Sequence, residues 1–395
     1  MYELIDSQMR KGLNLYIKLS EVIFMKLFQQ FPEVQKYENP IDFINAFQIT
    51  EKDFILASKS IYNKYFGEFD LKAEVRFKSM YGNGEPTDAM IDALLEDFRK
   101  TDCTRIIAIG GGAVIDMAKI LMLDGNASAA EYFQRKVPLK RIRPLIAVPT
   151  TCGAGSESSN VSIAEILSLG TKLGLADNTI FPDYAVLIPT LLSELPYNFF
   201  ATSAIDALIH AIESYVSPRA NLYTRMFSEK AMEMILKGFQ DIVKNGPEYR
   251  FELLDEFLIA SDLAGIAFGN AGTGAVHAMS YPLSGTYHVT HGEANYQFLT
   301  EVFKHYQAAK PDGDLKILNA FLGNVMNCDG DVVYEEIEKL LGQVVEKKAL
   351  HEYGMKPEEI KAFAVSVDQT QQRLLNQAYV KFTVEEMMEI YQALY

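Results

Sequence analysis

Ile106-Ile107-Ala108-Ile109-Gly110-Gly111-Gly112-Ala113-Val114-Ile115-Asp116-Met117-Ala118-Lys119 is the stretch that decides the fold. A short, unbroken apolar run predicts a strand buried on both faces, as in a parallel sheet. It runs through three glycines into a helical continuation. Such a turn lets a pyrophosphate approach backbone N–H groups at a helix N-terminus. The usual G-x-G-x-x-G fingerprint is not met, because its last position is Ile115. By itself the run therefore reads equally well as a tight strand-to-helix turn that binds nothing.

A second segment of similar character lies downstream. Leu145-Ile146-Ala147-Val148 leads into Pro149-Thr150-Thr151-Cys152-Gly153-Ala154-Gly155-Ser156-Glu157. Hydroxyls and glycines after a strand offer side-chain and backbone donors to phosphate. Two such loops at the carboxyl ends of neighbouring strands converge on one crevice, which favours a nucleotide site. Phe54-Ile55-Leu56-Ala57 and Ala185-Val186-Leu187-Ile188 are two further strand candidates. Thr87-Asp88 followed by Met90, Ile91, Leu94, Leu95 and Phe98 predicts an N-capped amphipathic helix. Strands alternating with helices imply a doubly wound α/β layer.

Beyond Pro189 the pattern changes to long helical periodicity, as in 226–243 and 385–395. The expected organisation is an N-terminal extension (1–24), an α/β dinucleotide-binding domain (25–195) and an all-α domain (196–395). In the extension Leu13, Leu15, Ile17 and Leu19 alternate with polar residues, with no evident partner strand. It carries no phosphate loop or metal ligand and is expected to be dispensable for catalysis.

With 395 residues, two domains are the natural expectation. The composition is 49% hydrophobic and 23% charged, which is globular. A net charge of -15 without a Lys/Arg cluster excludes a nucleic-acid partner. No apolar run approaches the roughly 20 residues that span a bilayer, so no membrane partner is expected. Glu3, Asp6 and Glu21 do not suit a signal peptide, and Cys103, Cys152 and Cys328 are sparse and odd in number. Both features point to the cytoplasm.

Four of the six histidines, His210, His277, His288 and His291, fall close together in the second half. Asp206 and His210, four apart in a helical stretch, share one helix face. Taken alone, such a pair is a helix-surface hydrogen bond. His277 lies in another helix-like stretch, while Pro282 and Gly285 are expected to interrupt it, so that His291 returns on a loop or a new helix. Three histidines and an aspartate in partly apolar settings are hard to explain without a cation. The donor set, free of thiolate, suits iron(II) or zinc with a position open for a substrate oxygen.

These residues resemble the iron-containing (group III) alcohol dehydrogenases across roughly residues 25–395. The family's D-A-x-x-H-A-x-E pattern matches Asp206–Glu213, and its H-A…H-G pair matches His277-Ala278 and His291-Gly292. G-G-G-x-x-x-D-x-A-K matches Gly110–Lys119, and P-T-T-x-G-x-G-S-E matches Pro149–Glu157. Within the family, Ser203–Pro218 and Tyr281–Gln297 resemble the 4-hydroxybutyrate dehydrogenases. The resemblance implies an NAD-linked oxidation of a hydroxy acid to an aldehyde, with Fe(II) or Zn(II) held by Asp206, His210, His277 and His291. It also implies a homodimer with the metal in a cleft between the two domains. Ser58, Gly110, Gly111, Gly112, Asp116, Thr150, Thr151, Ser156 and Lys172 are the implied coenzyme-binding residues.

Two positions depart from the family pattern. A histidine often assigned to proton relay is replaced by Tyr281, leaving Tyr281 or His288 for that role. An aspartate that meets the coenzyme ribose is replaced by Ser58, followed by Lys59, so NADP is not excluded. For a substrate carboxylate, Arg219, Tyr281, His288 and Asn295 are the candidate clamps. Three alternatives stand beside this reading: a diol or alkanol dehydrogenase, a lyase resembling 3-dehydroquinate synthase, and a non-catalytic metal-binding protein.

Overall fold

The four apolar runs form strands because only a sheet covered on both faces can bury every side chain of so short a segment. In the computed structural model, which describes residues 26–395, they are β2 (Asp53–Ala57), β4 (Arg105–Gly110), β5 (Leu145–Pro149) and β8 (Tyr184–Leu187). The expectation for residues 1–24 lies outside the described residues. Two strands escaped the sequence reading, β1 (Glu33–Lys36) and β3 (Glu74–Phe77). Both sit at sheet edges, so they are short, polar and half exposed, and an apolar-run criterion cannot find them.

The sheet is parallel throughout, in the order β1-β8-β5-β4-β2-β3. From β2 the chain steps outward to β3 and then returns to β4 on the other side. The order therefore reverses between β2 and β4, and the crevice at that reversal is where open α/β sheets bind ligands. Ser58 and the three glycines end these two strands. The expected helix is present as α3 (Asp88–Arg99), with the Thr87 hydroxyl accepting from Met90 N at 3.2 Å. Preceding it are α1 (Pro40–Phe47) and α2 (Lys59–Tyr65), and following it are α4 (Gly112–Leu121) and α5 (Ala129–Phe133).

An antiparallel hairpin, β6 (Val161–Ile166) and β7 (Thr171–Ala176), leaves the main sheet and was also missed. It is tied to α4 through Asp116, whose carboxylate accepts from Ile163 N (2.9 Å) and Ser156 Oγ (2.8 Å). Lys119, fully buried, donates to Ser159 Oγ (3.3 Å) and to the Val161 carbonyl. The D-x-A-K part of the first glycine motif thus holds the second loop and the hairpin in place.

After residue 196 the described chain is helical, as expected. α6 (Tyr197–Val216) runs through the centre of its own core, and nearly every side chain after its first turn is buried. Around it stand α7 (Leu222–Asn245), α8 (Leu254–Ala271), α9 (Ala275–Tyr287) and α10 (His291–Ala309). The remaining helices are α11 (Asp314–Met326), α12 (Val333–Val344), α13 (Glu359–Thr370), α14 (Gln372–Leu375) and α15 (Val384–Leu394). Pro282 does not end α9, contrary to the sequence expectation. It removes one amide from the ladder, and the loosened turn is held by the Tyr391 hydroxyl donating to Met279 O at 2.5 Å. His291 opens the new helix α10.

Candidate metal centre and coenzyme cleft

Asp206, His210 and Glu213 lie on one stripe of α6, because i, i+4 and i+7 share a helix face. α9 supplies His277 and the first turn of α10 supplies His291. The close approach of α10 to α6 depends on Gly292, where a Cβ would stand 2.3 Å from Thr202 O. One donor atom from each of Asp206, His210, His277 and His291 falls within 4.8 Å of the others. His277 Nε2 lies 3.8 Å and His291 Nε2 3.9 Å from Asp206 Oδ1.

The outer hydrogen bonds fix which ring atoms face inward. His277 Nδ1 meets Glu213 Oε2 at 2.6 Å, and the other Glu213 oxygen accepts from Val276 N at 2.7 Å. Against a carboxylate Nδ1 carries the proton, so Nε2 presents its lone pair. That atom is buried and has no hydrogen-bond partner among the described residues. His210 Nδ1 sits 3.1 Å from Gly153 O, which turns its Nε2 inward as well. Asn295 donates to Asp206 Oδ1 at 2.7 Å and takes a hydrogen bond from Ser280 Oγ.

The electrostatics agree with this arrangement. Burial pushes His210 down to about 3, so the imidazole is neutral and able to ligate. Burial would raise Asp206, but His210, His291 and His277 outweigh it and keep the carboxyl below its usual range. A buried carboxylate facing neutral imidazole lone pairs is a costly arrangement unless a cation joins them. The residues therefore fit a divalent ion, and the absence of thiolate suits iron(II) or zinc.

A cavity of about 500 Å³ opens beside this cluster. Gly112, Thr151, Ser156 and Lys172 line it from the α/β side, and the four candidate ligands and Tyr281 from the helical side. Gly112 lets the two loops meet, since a Cβ there would stand 2.7 Å from the Ala154 Cβ. Asp116 also borders the cavity, although its carboxylate is engaged by Ser156 and Ile163. Gly110, Gly111 and Thr150 form the turns behind the lining, with Thr150 N donating to Gly110 O at 3.1 Å. Ser58 stands just past β2 as the residue before α2, with its Oγ beside Gly110.

Two further candidates are placed differently from one another. His288 caps α9 in a left-handed conformation (φ 55°) with its side chain exposed, outside the cavity lining. The turn that brings His291 inward sends His288 outward, away from the cavity. Asn295 lies at the cluster itself, with both ends of its amide engaged by Asp206 and Ser280. Tyr281 is present, but burial pushes its hydroxyl up to about 12, so near neutrality it stays protonated and can donate a hydrogen bond but not act as a base. Sequence reasoning assigned no role to Glu213, although it stood in the D-A-x-x-H-A-x-E pattern. It overlooked Arg373, which reaches the cavity from far downstream.

Comparison with known proteins gives the same architecture. The iron-containing alcohol dehydrogenase model matches residues 30–189, and the C-terminal model of the Fe-containing alcohol dehydrogenase family matches residues 200–395. The chain is 48% identical over 371 residues to the 4-hydroxybutyrate dehydrogenase of Clostridium kluyveri, covering 94% of this chain and 100% of the relative. It is 30% identical over 297 residues to a long-chain-alcohol dehydrogenase of Geobacillus thermodenitrificans, covering 73% of this chain and 74% of that one. Among solved structures, the NAD+ complex of sulfoacetaldehyde reductase from Bifidobacterium kashiwanohense superposes with a TM-score of 0.79 at 22% identity. That match covers 94% of this chain and 99% of the other. With both halves of its length matched and a relative 48% identical over its whole length, this chain belongs to the iron-containing alcohol dehydrogenases.

Proposed function

We propose that this chain catalyses the reversible NAD-linked oxidation of 4-hydroxybutyrate to succinate semialdehyde. The observation that carries the reading is the 48% identity to a 4-hydroxybutyrate dehydrogenase over that relative's whole length. In this reading residues 25–195 hold the coenzyme and residues 196–395 the metal. Asp206, His210, His277 and His291 are the ligands. Gly110 to Gly112, Thr150, Thr151 and Ser156 hold the pyrophosphate, with Asp116 bracing the loops and Lys172 at the nicotinamide end. Held by these residues, a divalent ion would supply Lewis-acid charge for a substrate oxygen, and NAD would supply the hydride acceptor.

The protein's own part is to orient and to exclude water. Glu213 and the Gly153 carbonyl aim two imidazoles, and Asn295 steadies Asp206. The Tyr281 hydroxyl, protonated at neutral pH, is available as a donor to substrate oxygen but leaves the proton of the alcohol to solvent. Exposed Leu27, Phe31 and Val34 along and before the edge strand β1 support a homodimer. Unpaired Cys103, Cys152 and Cys328 support a cytoplasmic setting. Among the described residues no helix is long and apolar enough to cross a membrane.

Protein loaded with ferrous iron and mixed with NAD should produce NADH faster from 4-hydroxybutyrate than from 1,4-butanediol or 1-butanol. A diol or alkanol turned over more efficiently would replace this reading with the other dehydrogenase alternative. The matched signature in both halves speaks for a dehydrogenase over a lyase.

Coenzyme choice is a separate expectation. With Ser58 at the ribose position there is no carboxylate to repel a 2′-phosphate, and Lys59 alone does not make a phosphate pocket. The ratio of kcat/KM for NAD over NADP is expected to be moderate, on the order of 10 to 100 in favour of NAD. Selectivity of several further orders of magnitude, for either coenzyme, would refute the role given to Ser58.

A further inference from the structure

The cavity is also lined by cationic side chains from distant parts of the chain. Lys172 of β7 lies 5.8 Å from the centre of the Tyr281 ring. It already has partners, donating to Ser284 Oγ at 2.9 Å and lying 4.0 Å from Glu85. Arg373 of α14 reaches the same region over Gly174 of β7, where an added Cβ would stand 2.8 Å from Nη2. Its charge is felt at the Tyr281 hydroxyl. Unlike Lys172, Arg373 has no acid within ion-pair distance among the described residues.

The Tyr281 ring is 6.2 Å from the His291 ring, and Arg373 lines the same cavity as both. A linear substrate with its hydroxyl at the cluster would carry its far end past Tyr281. A guanidinium there presents a planar fork that matches a carboxylate bidentately and cannot lose its charge. Arg219 also lines the cavity, but nothing ties it to Tyr281 or to the histidines.

We infer that Arg373 binds the substrate carboxylate and selects ω-hydroxy acids over uncharged alcohols, with Gly174 leaving the space its guanidinium needs. The inference rests on the hydroxy-acid reading above and names the group that recognises the acid.

The test compares Arg373→Met, Arg373→Lys and Gly174→Ala with the unmodified enzyme. For 4-hydroxybutyrate, Arg373→Met should lower kcat/KM by about 10- to 100-fold, mainly through KM, as expected for one lost charge-assisted contact. Turnover of 1,4-butanediol should change little. Arg373→Lys should recover part of the loss. Gly174→Ala, which displaces the guanidinium without removing it, should shift the same ratio by a smaller factor. Calorimetry with butyrate, which has the carboxylate but no hydroxyl, should show affinity weakened in parallel with KM.

Equal losses on acid and diol, or unchanged butyrate affinity in a folded Arg373→Met protein, would overturn the inference. Should Arg373→Met not fold, the lysine and Gly174 variants carry the same comparison. An unmodified enzyme that binds butyrate through Arg373 yet fails to oxidise 4-hydroxybutyrate would support the clamp and refute the proposed reaction.

Discussion

Replacing His277 with alanine is expected to cost the enzyme its stoichiometric metal and essentially all of its turnover. His277 is the only one of the four candidate ligands whose inward nitrogen is both buried and without any partner. Its removal takes away one lone pair and leaves three groups, which hold a divalent ion more weakly than four. Lewis-acid assistance contributes several kcal/mol to such a reaction, so turnover should fall by about three orders of magnitude or more. The stability cost is separate. Glu213 Oε2 loses its donor inside the core, which costs about 1–3 kcal/mol for an unsatisfied buried group. Metal analysis beside circular dichroism and a thermal melt separates the two effects. A folded variant that retains one metal ion per chain would remove His277 from the site.

The second large effect is expected at Glu213, a residue outside the set of four candidate ligands. Its two carboxylate oxygens each accept one hydrogen bond, from Val276 N and from His277 Nδ1. A glutamine offers one acceptor and one NH2 group, so one of the two donors must then face another donor. Val276 N is fixed by the first turn of α9, and the mismatch falls on the His277 ring. Glu213→Gln should therefore weaken metal affinity by about 10- to 100-fold, the usual consequence of removing an outer hydrogen bond to a ligating imidazole. Competition against a chelator reads this directly. Excess metal should restore much of the activity, which it cannot do for His277→Ala. If Glu213→Gln held its metal as tightly as the unmodified protein, Glu213 would have no part in positioning His277.

Legibility differed sharply between neighbouring parts of the chain. The Ile106–Ile109 run and its glycines could be read because a strand covered on both faces needs uninterrupted apolar residues. The Asp206–His210 spacing could be read because helix geometry places i and i+4 together. A turn of the chain before His291 was also accessible, although the sequence left open whether His291 returned on a loop or a new helix. The path through Pro282 was not. Whether a proline ends a helix depends on how its surroundings hold the loosened turn, and here Tyr391, bonded to Met279 O, comes from 112 positions away.

The amino-acid sequence by itself determined the layered α/β half, the helical half, the strand-to-helix glycine turns and the ligand types. All of these follow from local periodicity and short motifs. Only the tertiary structure decided which nearby residues share a site. It turned His288 outward and His291 inward three positions apart, and it committed Asn295 to Asp206. It set Glu213 behind His277 and brought Arg373 over Gly174 from the far end of the chain. The physical reason is that hydrogen bonding and charge act over a few ångströms in space. Which groups come that close is set by the packing of distant helices, and a linear pattern records periodicity along one element at a time.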